Sequence, residues 1–162
     1  MFTAAVLTIS TSGAKGERVD TSGTNLVKIL QNDGYNTKYA GIVSDDKEQI
    51  KVALLKLIDE KINLVLTTGG TGFTKTDITP EATLEIIDKE TRGIPEMMRT
   101  LSYKITDKSI LSRAVAGIKN ETLIINLPGS KKAAEENFLS VKNSIKHGLE
   151  MLITEGSNNC GG

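Results

Sequence analysis

Short apolar runs alternate along this chain with longer segments whose apolar positions recur every three or four residues. The first run, residues 2–9, reads as a strand. A polar, glycine-bearing loop over 10–23 separates it from a first helix over about 24–33, with Leu26, Ile29 and Leu30 at helical spacing and Gly34 as its stop. A second strand is expected over about 35–43. The next helix, about 46–60, is capped by Ser44 or Asp45 and carries one apolar face of Ile50, Ala53, Leu54, Leu57 and Ile58. The unbroken run Ile62-Asn63-Leu64-Val65-Leu66 predicts a buried parallel strand. A helix then runs from Pro80 to about Lys89, with Thr79 as N-cap and Glu81 as an acid in the first turn. Residues 91–112 hold a short helix. Two strands, about 113–118 and 122–127, turn near Asn120. In the long last helix Ala134, Phe138, Val141, Ile145, Leu149 and Leu152 step along one buried side.

Strands alternating with helices predict a doubly wound α/β sheet, mostly parallel, with one antiparallel strand in the late pair. Such sheets bind ligands at the carboxyl ends of their strands. That rule gathers the loop Ser10–Ser22, Asp45, the loop Thr67–Glu81 and the turn Pro128-Gly129-Ser130.

The loop after the third strand is the centre of this arrangement. Its glycines, Gly69, Gly70 and Gly72, allow a tight bend that exposes backbone N–H groups to an anion. It is neither of two common nucleotide motifs. Thr74 precedes Lys75-Thr76 where the P-loop needs glycine, and Lys75 stands where the dinucleotide fingerprint needs its third glycine. Asp77 and Asp45 come from two strand ends facing one crevice, and two carboxylates beside a phosphate-binding loop suit Mg²⁺. The competing structural roles are a helix cap for Asp45 and a loop hydrogen-bond terminus for Asp77. Lys15, Arg18, Lys75, Arg99, Arg113 and Lys132 are the candidate sources of positive charge.

Composition narrows the picture. The 162 residues suit one domain, residues 1–155, with a tail over 156–162. Lys+Arg and Asp+Glu balance at 20 each, which argues against nucleic-acid binding through a general basic field. One histidine, His147, and one cysteine, Cys160, leave no material for a histidine triad, a zinc site or an internal disulfide. The apolar start is too short for a signal peptide and no span reaches membrane length, so a cytoplasmic protein without a membrane partner is expected.

These residues resemble a known family. Thr68-Gly69-Gly70-Thr71-Gly72, Asp77 and Thr79-Pro80-Glu81-Ala82 look like the hallmark of the molybdopterin adenylyltransferases of the MogA/MoaB type, related to the G domain of gephyrin. Gly16-Glu17-Arg18, Asp20 and Ser22-Gly23 resemble that family's first loop, and Gly93, Glu96 and Arg99 its middle segment. Leu111 to Gly117, with Ser112 and Arg113, and Thr122 to Ser130, with Asn126, Pro128 and Gly129, resemble its last two. The likeness covers almost the whole chain. It implies a three-layer α/β/α fold and a homotrimer. It implies molybdenum cofactor biosynthesis, in which Mg²⁺, ATP and molybdopterin give adenylyl-molybdopterin and pyrophosphate. Asp77 corresponds to the acid essential for adenylyl transfer and Asp45 to a second one. Ser10, Thr68–Gly72, Thr79–Glu81, Ser112, Arg113, Gly117, Asn126, Pro128–Ser130 and Lys132 fall on ligand-binding segments. A molybdenum-inserting protein is the macromolecular partner implied. The chain departs from the pattern at Thr11, Thr76 and Lys131. The alternative is a molybdopterin-binding member with little or no catalysis, acting as carrier or trimeric scaffold.

Overall fold

The computed structural model describes residues 1–154, so the tail and Cys160 lie outside the described residues. Six strands form one sheet: β1 (Thr3–Ile9), β2 (Asn36–Val43), β3 (Leu64–Thr68), β4 (Lys89–Glu90), β5 (Ala116–Lys119) and β6 (Thr122–Leu127). Their order across the sheet is β2-β1-β3-β6-β5-β4. The pairs β1·β2, β1·β3 and β3·β6 are parallel, whereas β5 runs antiparallel to both β6 and β4. The single antiparallel strand is therefore β5, as the pattern predicts.

Alternation along the central strands explains the three layers. Ala4, Val6, Leu64, Leu66, Leu123, Ile125 and Leu127 join one apolar core. Their neighbours Ala5, Leu7, Ile9, Val65 and Ile124 join another. Successive side chains of a strand point to opposite faces, so both faces are apolar and each needs a cover. Helices α2 (Thr21–Asn32), α5 (Gly93–Tyr103) and α6 (Lys131–Ile153) cover the first face with Leu26, Leu30, Met98, Phe138 and Ile145. Helices α3 (Lys47–Asp59) and α4 (Thr79–Leu84) cover the second with Ile50, Leu54, Leu57 and Ala82. A short helix, α1 (Thr11–Ala14), follows β1. None of the described helices is long and apolar enough to cross a membrane.

Several boundaries differ from expectation, each for a local reason. Asp20 caps α2 by accepting from Gly23 N–H, so that helix starts at Thr21, inside the expected loop. The cap of α3 is neither Ser44 nor Asp45 but Asp46, whose carboxylate accepts from Gln49 N–H at 2.9 Å. Thr79 does not cap α4; Ile78 holds that position without a side-chain bond, and the Thr79 hydroxyl donates to Gly69 C=O at 2.9 Å. Helix α4 ends at Leu84, because the chain is drawn back to the sheet by Asp88 N–H donating to Ile118 C=O, and Lys89–Glu90 add the edge strand. The fifth strand begins only at Ala116, since Arg113 to Val115 are held by loop contacts.

Candidate active site

Parallel register sets the four strand ends side by side. Ile9 pairs with Val43, Thr8 with Thr68, and Thr68 with Leu127. The loops leaving β1, β2, β3 and β6 therefore share one rim, the carboxyl edge where α/β sheets bind ligands. A cavity of about 330 Å³ opens there. Ser10, Thr68, Gly69, Gly70, Gly129 and Ser130 line it, together with Arg18, Asp20 and Ser22 from the first loop.

The glycine loop is bent by positive φ at Gly69 (104°) and Gly70 (70°). A side chain at Gly69 would strike the Ile9 carbonyl at 2.4 Å, and one at Gly70 would strike the Thr79 hydroxyl at 2.3 Å, so only glycine fits either place. Gly69 N–H donates to Leu127 C=O, and Thr79 N–H donates to Gly70 C=O. Beyond that point the loop's two polar sides part company. Its carbonyls are claimed by Arg113: the backbone N–H donates to Thr71 C=O at 2.9 Å, Nε to Gly72 C=O at 2.7 Å and Nη2 to Asp77 C=O at 3.0 Å. Nη1 of the same guanidinium pairs with Glu81. The N–H groups of Gly70, Thr71, Gly72 and Phe73 donate to no acceptor among the described residues. Of these four residues Gly70 lines the cavity, and unspent amides in a glycine bend suit an oxyanion.

Both candidate acids border this bend. Asp77 Oδ2 accepts from Thr74 N–H at 2.9 Å and lies 2.9 Å from where a Gly72 Cβ would stand. Asp45 Oδ2 accepts from Thr11 N–H at 3.0 Å and from the Thr11 hydroxyl at 2.9 Å. Its Oδ1 lies 3.5 Å from where a Gly70 Cβ would stand. The remaining oxygen of each, Oδ1, receives no hydrogen bond among the described residues. Because Asp46 does the capping, Asp45 is left at the rim. Asp77 does terminate a loop hydrogen bond, with only one of its two oxygens.

Other residues singled out in the sequence fall elsewhere. Glu81 and Arg113 brace the loop from outside, and Arg113 with Ser112 borders a separate hollow beside Arg92, Glu96 and Arg99. Gly117 sits within β5, paired with Glu90 and Ile124, where a Cβ would meet Ile87 at 2.2 Å; packing explains that glycine. Asn126 is fully buried, and its amide donates to Thr67 and Thr83 hydroxyls at 3.0 Å each. Pro80 is buried at the start of α4. Lys132 is 81% exposed and approaches Glu136 at 3.9 Å. Asp20 and Ser22 lie in the gathered loop Ser10–Ser22 without having been assigned a ligand-binding role, and Thr8, inside the first strand, is a lining residue the motifs do not reach. An aspartate three residues ahead of a glycine at the head of an apolar-periodic run was the available sign, since it is a helix-start signature.

The fold and this rim define a three-layer α/β domain with a cavity open at its strand ends. The chain belongs to the family described as probable molybdopterin binding domain, which matches residues 5–147. It is 40% identical over 151 residues to the molybdopterin adenylyltransferase of Helicobacter pylori, covering 91% of this chain and 86% of that one. It is 40% identical over 153 residues to the molybdenum cofactor synthesis protein cinnamon of Drosophila melanogaster, covering 93% of this chain but 26% of that protein. The crystal structure of the molybdopterin biosynthesis enzyme MoaB from Thermus thermophilus superposes with a TM-score of 0.89 at 39% identity, covering 94% of this chain and 96% of that one.

Proposed function

We propose that this chain adenylylates molybdopterin, consuming ATP and releasing pyrophosphate. The row of unspent amides from Gly70 to Phe73, flanked by Asp45 and Asp77, is the observation that carries the reading. The names of the bacterial and archaeal relatives, spanned over most of their length, agree with it. An oxygen of the pterin's terminal phosphate forms a bond to the ATP α-phosphorus. The bond from that phosphorus to the bridging oxygen of the β-phosphate breaks, and pyrophosphate leaves with the electron pair. Such a transfer asks for alignment and charge stabilisation rather than a side-chain nucleophile, which suits a cavity lined by no cysteine or histidine among the described residues.

The chain's contribution divides by position. The amides of the glycine bend hold phosphoryl oxygens, and Arg113 keeps the bend's carbonyls turned into its own hydrogen bonds. Asp45 and Asp77 each keep one oxygen free of donors among the described residues, hard oxygens of the kind Mg²⁺ takes. No cluster of three or more His, Cys, Asp or Glu able to hold a metal occurs among the described residues, so an ion held by Asp45 and Asp77 would take its remaining ligands from phosphate and water. Bound there, Mg²⁺ supplies neutralisation of phosphoryl charge. Pyrophosphate release that depends on adding both ATP and molybdopterin tests the proposal. Nucleotide and pterin binding without release would assign the chain to carriage instead.

A further inference from the structure

Counting protons at the floor of the cavity assigns roles to two hydroxyls. Ser22 Oγ lies 2.8 Å from Thr68 Oγ1, and Thr68 Oγ1 lies 2.7 Å from the Pro128 carbonyl. A carbonyl only accepts, so Thr68 spends its single proton on Pro128. Ser22 must then be the donor in the bond to Thr68. Ser22 is 6% exposed and Thr68 1% exposed, so neither hydroxyl has water to fall back on. The chain of bonds joins three separate stretches of backbone: the N-terminal turn of α2, the end of β3 and the turn before α6. Each of the three contributes lining to the cavity.

We infer that Ser22 and Thr68 are positioning residues rather than ligands of the bound anion, a deeper reading that rests on the oxyanion role proposed above. With both protons committed, neither hydroxyl can donate to a phosphate oxygen without breaking the chain. Contact with ligand falls to other groups of the rim, backbone amides and Arg18 among them, and the two hydroxyls fix the spacing between the glycine bend and the Pro128–Ser130 turn. Gly129 already lies 3.4 Å, measured from where its Cβ would stand, from the Gly69 α-carbon. A small loosening there moves one wall of the cup against the other.

Amide hydrogen exchange on the ligand-free protein, paired with calorimetric titration of Mg-ATP, tests this with Thr68→Val, Thr68→Ser and Ser22→Ala. Thr68→Val is expected to speed exchange at Gly69, whose N–H donates to Leu127 C=O, before any ligand is added, and to weaken Mg-ATP roughly tenfold, the scale of one lost hydrogen-bond link. Thr68→Ser should restore both readouts, and Ser22→Ala, which leaves the bond to Pro128, should leave Gly69 slow to exchange and speed exchange at Gly23, whose N–H donates to Asp20. Weaker binding in Thr68→Val with unchanged exchange would make Thr68 a direct ligand and overturn the inference. So would a Thr68→Ser protein as impaired as Thr68→Val. The exchange readout needs no turnover, so a wild-type protein that releases no pyrophosphate would defeat the proposed reaction and leave this inference standing or falling by itself.

Discussion

Thr11 and Asp45 bond each other reciprocally. The Thr11 N–H and hydroxyl both donate to Asp45 Oδ2, at 3.0 and 2.9 Å, while Asp45 N–H donates back to the Thr11 hydroxyl at 3.1 Å. Residue 11 is one of the positions at which the sequence departs from the MogA/MoaB pattern it resembles. A second carboxylate at that place would repel Asp45; threonine instead fixes it and leaves Oδ1 toward the glycine bend. Thr11→Val removes the hydroxyl links and keeps the shape. Pyrophosphate release should fall about fivefold at limiting magnesium, the cost of a bond or two to a charged group at a solvent-facing site. Excess magnesium and the Thr11→Ser change should each recover most of it. Magnesium titrations of initial rate decide the matter, and an unchanged titration in Thr11→Val would show that Asp45 needs no such support.

Asp77 separates binding from chemistry. Its main-chain carbonyl and one carboxylate oxygen are tied into the loop, through Arg113 and Thr74. Asp77→Asn keeps a side-chain oxygen for the Thr74 amide, so the bend should survive. What it loses is negative charge at the free oxygen. Turnover is therefore expected to disappear while pterin affinity stays within a few-fold, as read by fluorescence titration beside a pyrophosphate assay. Full turnover in the variant would strike Asp77 from the reaction.

The strand ends and the glycine bend were legible in the chain because period and turn chemistry are local signals. Residues 2–9, 35–43 and 122–127 match their strands to within a residue or so. The gathering of Ser10, Asp45, Gly70 and Gly129 on one rim followed from a topological rule rather than from any contact. What could not be read was how protons and charges are divided once the loops meet. Thr79 looks like a cap and is instead a brace on Gly69; Asp45 looks like a cap, and Asp46, its neighbour, takes that role. Arg113 looks like a phosphate cation and is spent on carbonyls. Gly117 and Asn126 carry the family pattern for packing and for hydrogen bonds under the sheet. Apart from the Asp46 cap, a bond to Gln49 three residues on, each of these depends on partners that lie roughly ten to forty or more positions away, outside the reach of capping and periodicity.

Phe138 carries the largest fully buried side chain, in the middle of α6 against the face shared with α2 and α5. Truncation to alanine leaves a cavity that the surrounding leucines and isoleucines fill only in part. Phe138→Ala is expected to lower unfolding stability by about 3–5 kcal/mol, measured by urea denaturation. The exposed neighbour Leu139 provides the contrast: being 44% exposed, its alanine variant should shift stability by only about 0.5 kcal/mol or so.

Glu85 holds α3 to the end of α4. It accepts from Lys47 Nζ at 2.7 Å and from Lys51 Nζ at 2.8 Å. Hydrogen bonds from Lys47 and then Lys51, with their charges, hold its carboxyl far below the ordinary 4.5, at about 2. The unfolded chain therefore binds a proton on Glu85 at higher pH than the folded one does. Folding stability from this group is fully present above the unfolded value and is lost as pH falls from about 4.5 to about 2. Glu85→Gln should be less stable than wild type at neutral pH, with a flatter stability profile through that window. The two proteins should converge at the acid end, where the wild-type carboxyl is neutral too. Denaturant midpoints collected along a pH series give the comparison. Because both lysines and Glu85 are partly open to solvent, added salt should narrow the neutral-pH gap, and parallel profiles at every pH would remove the ion pairs from the account of how α3 and α4 are held together.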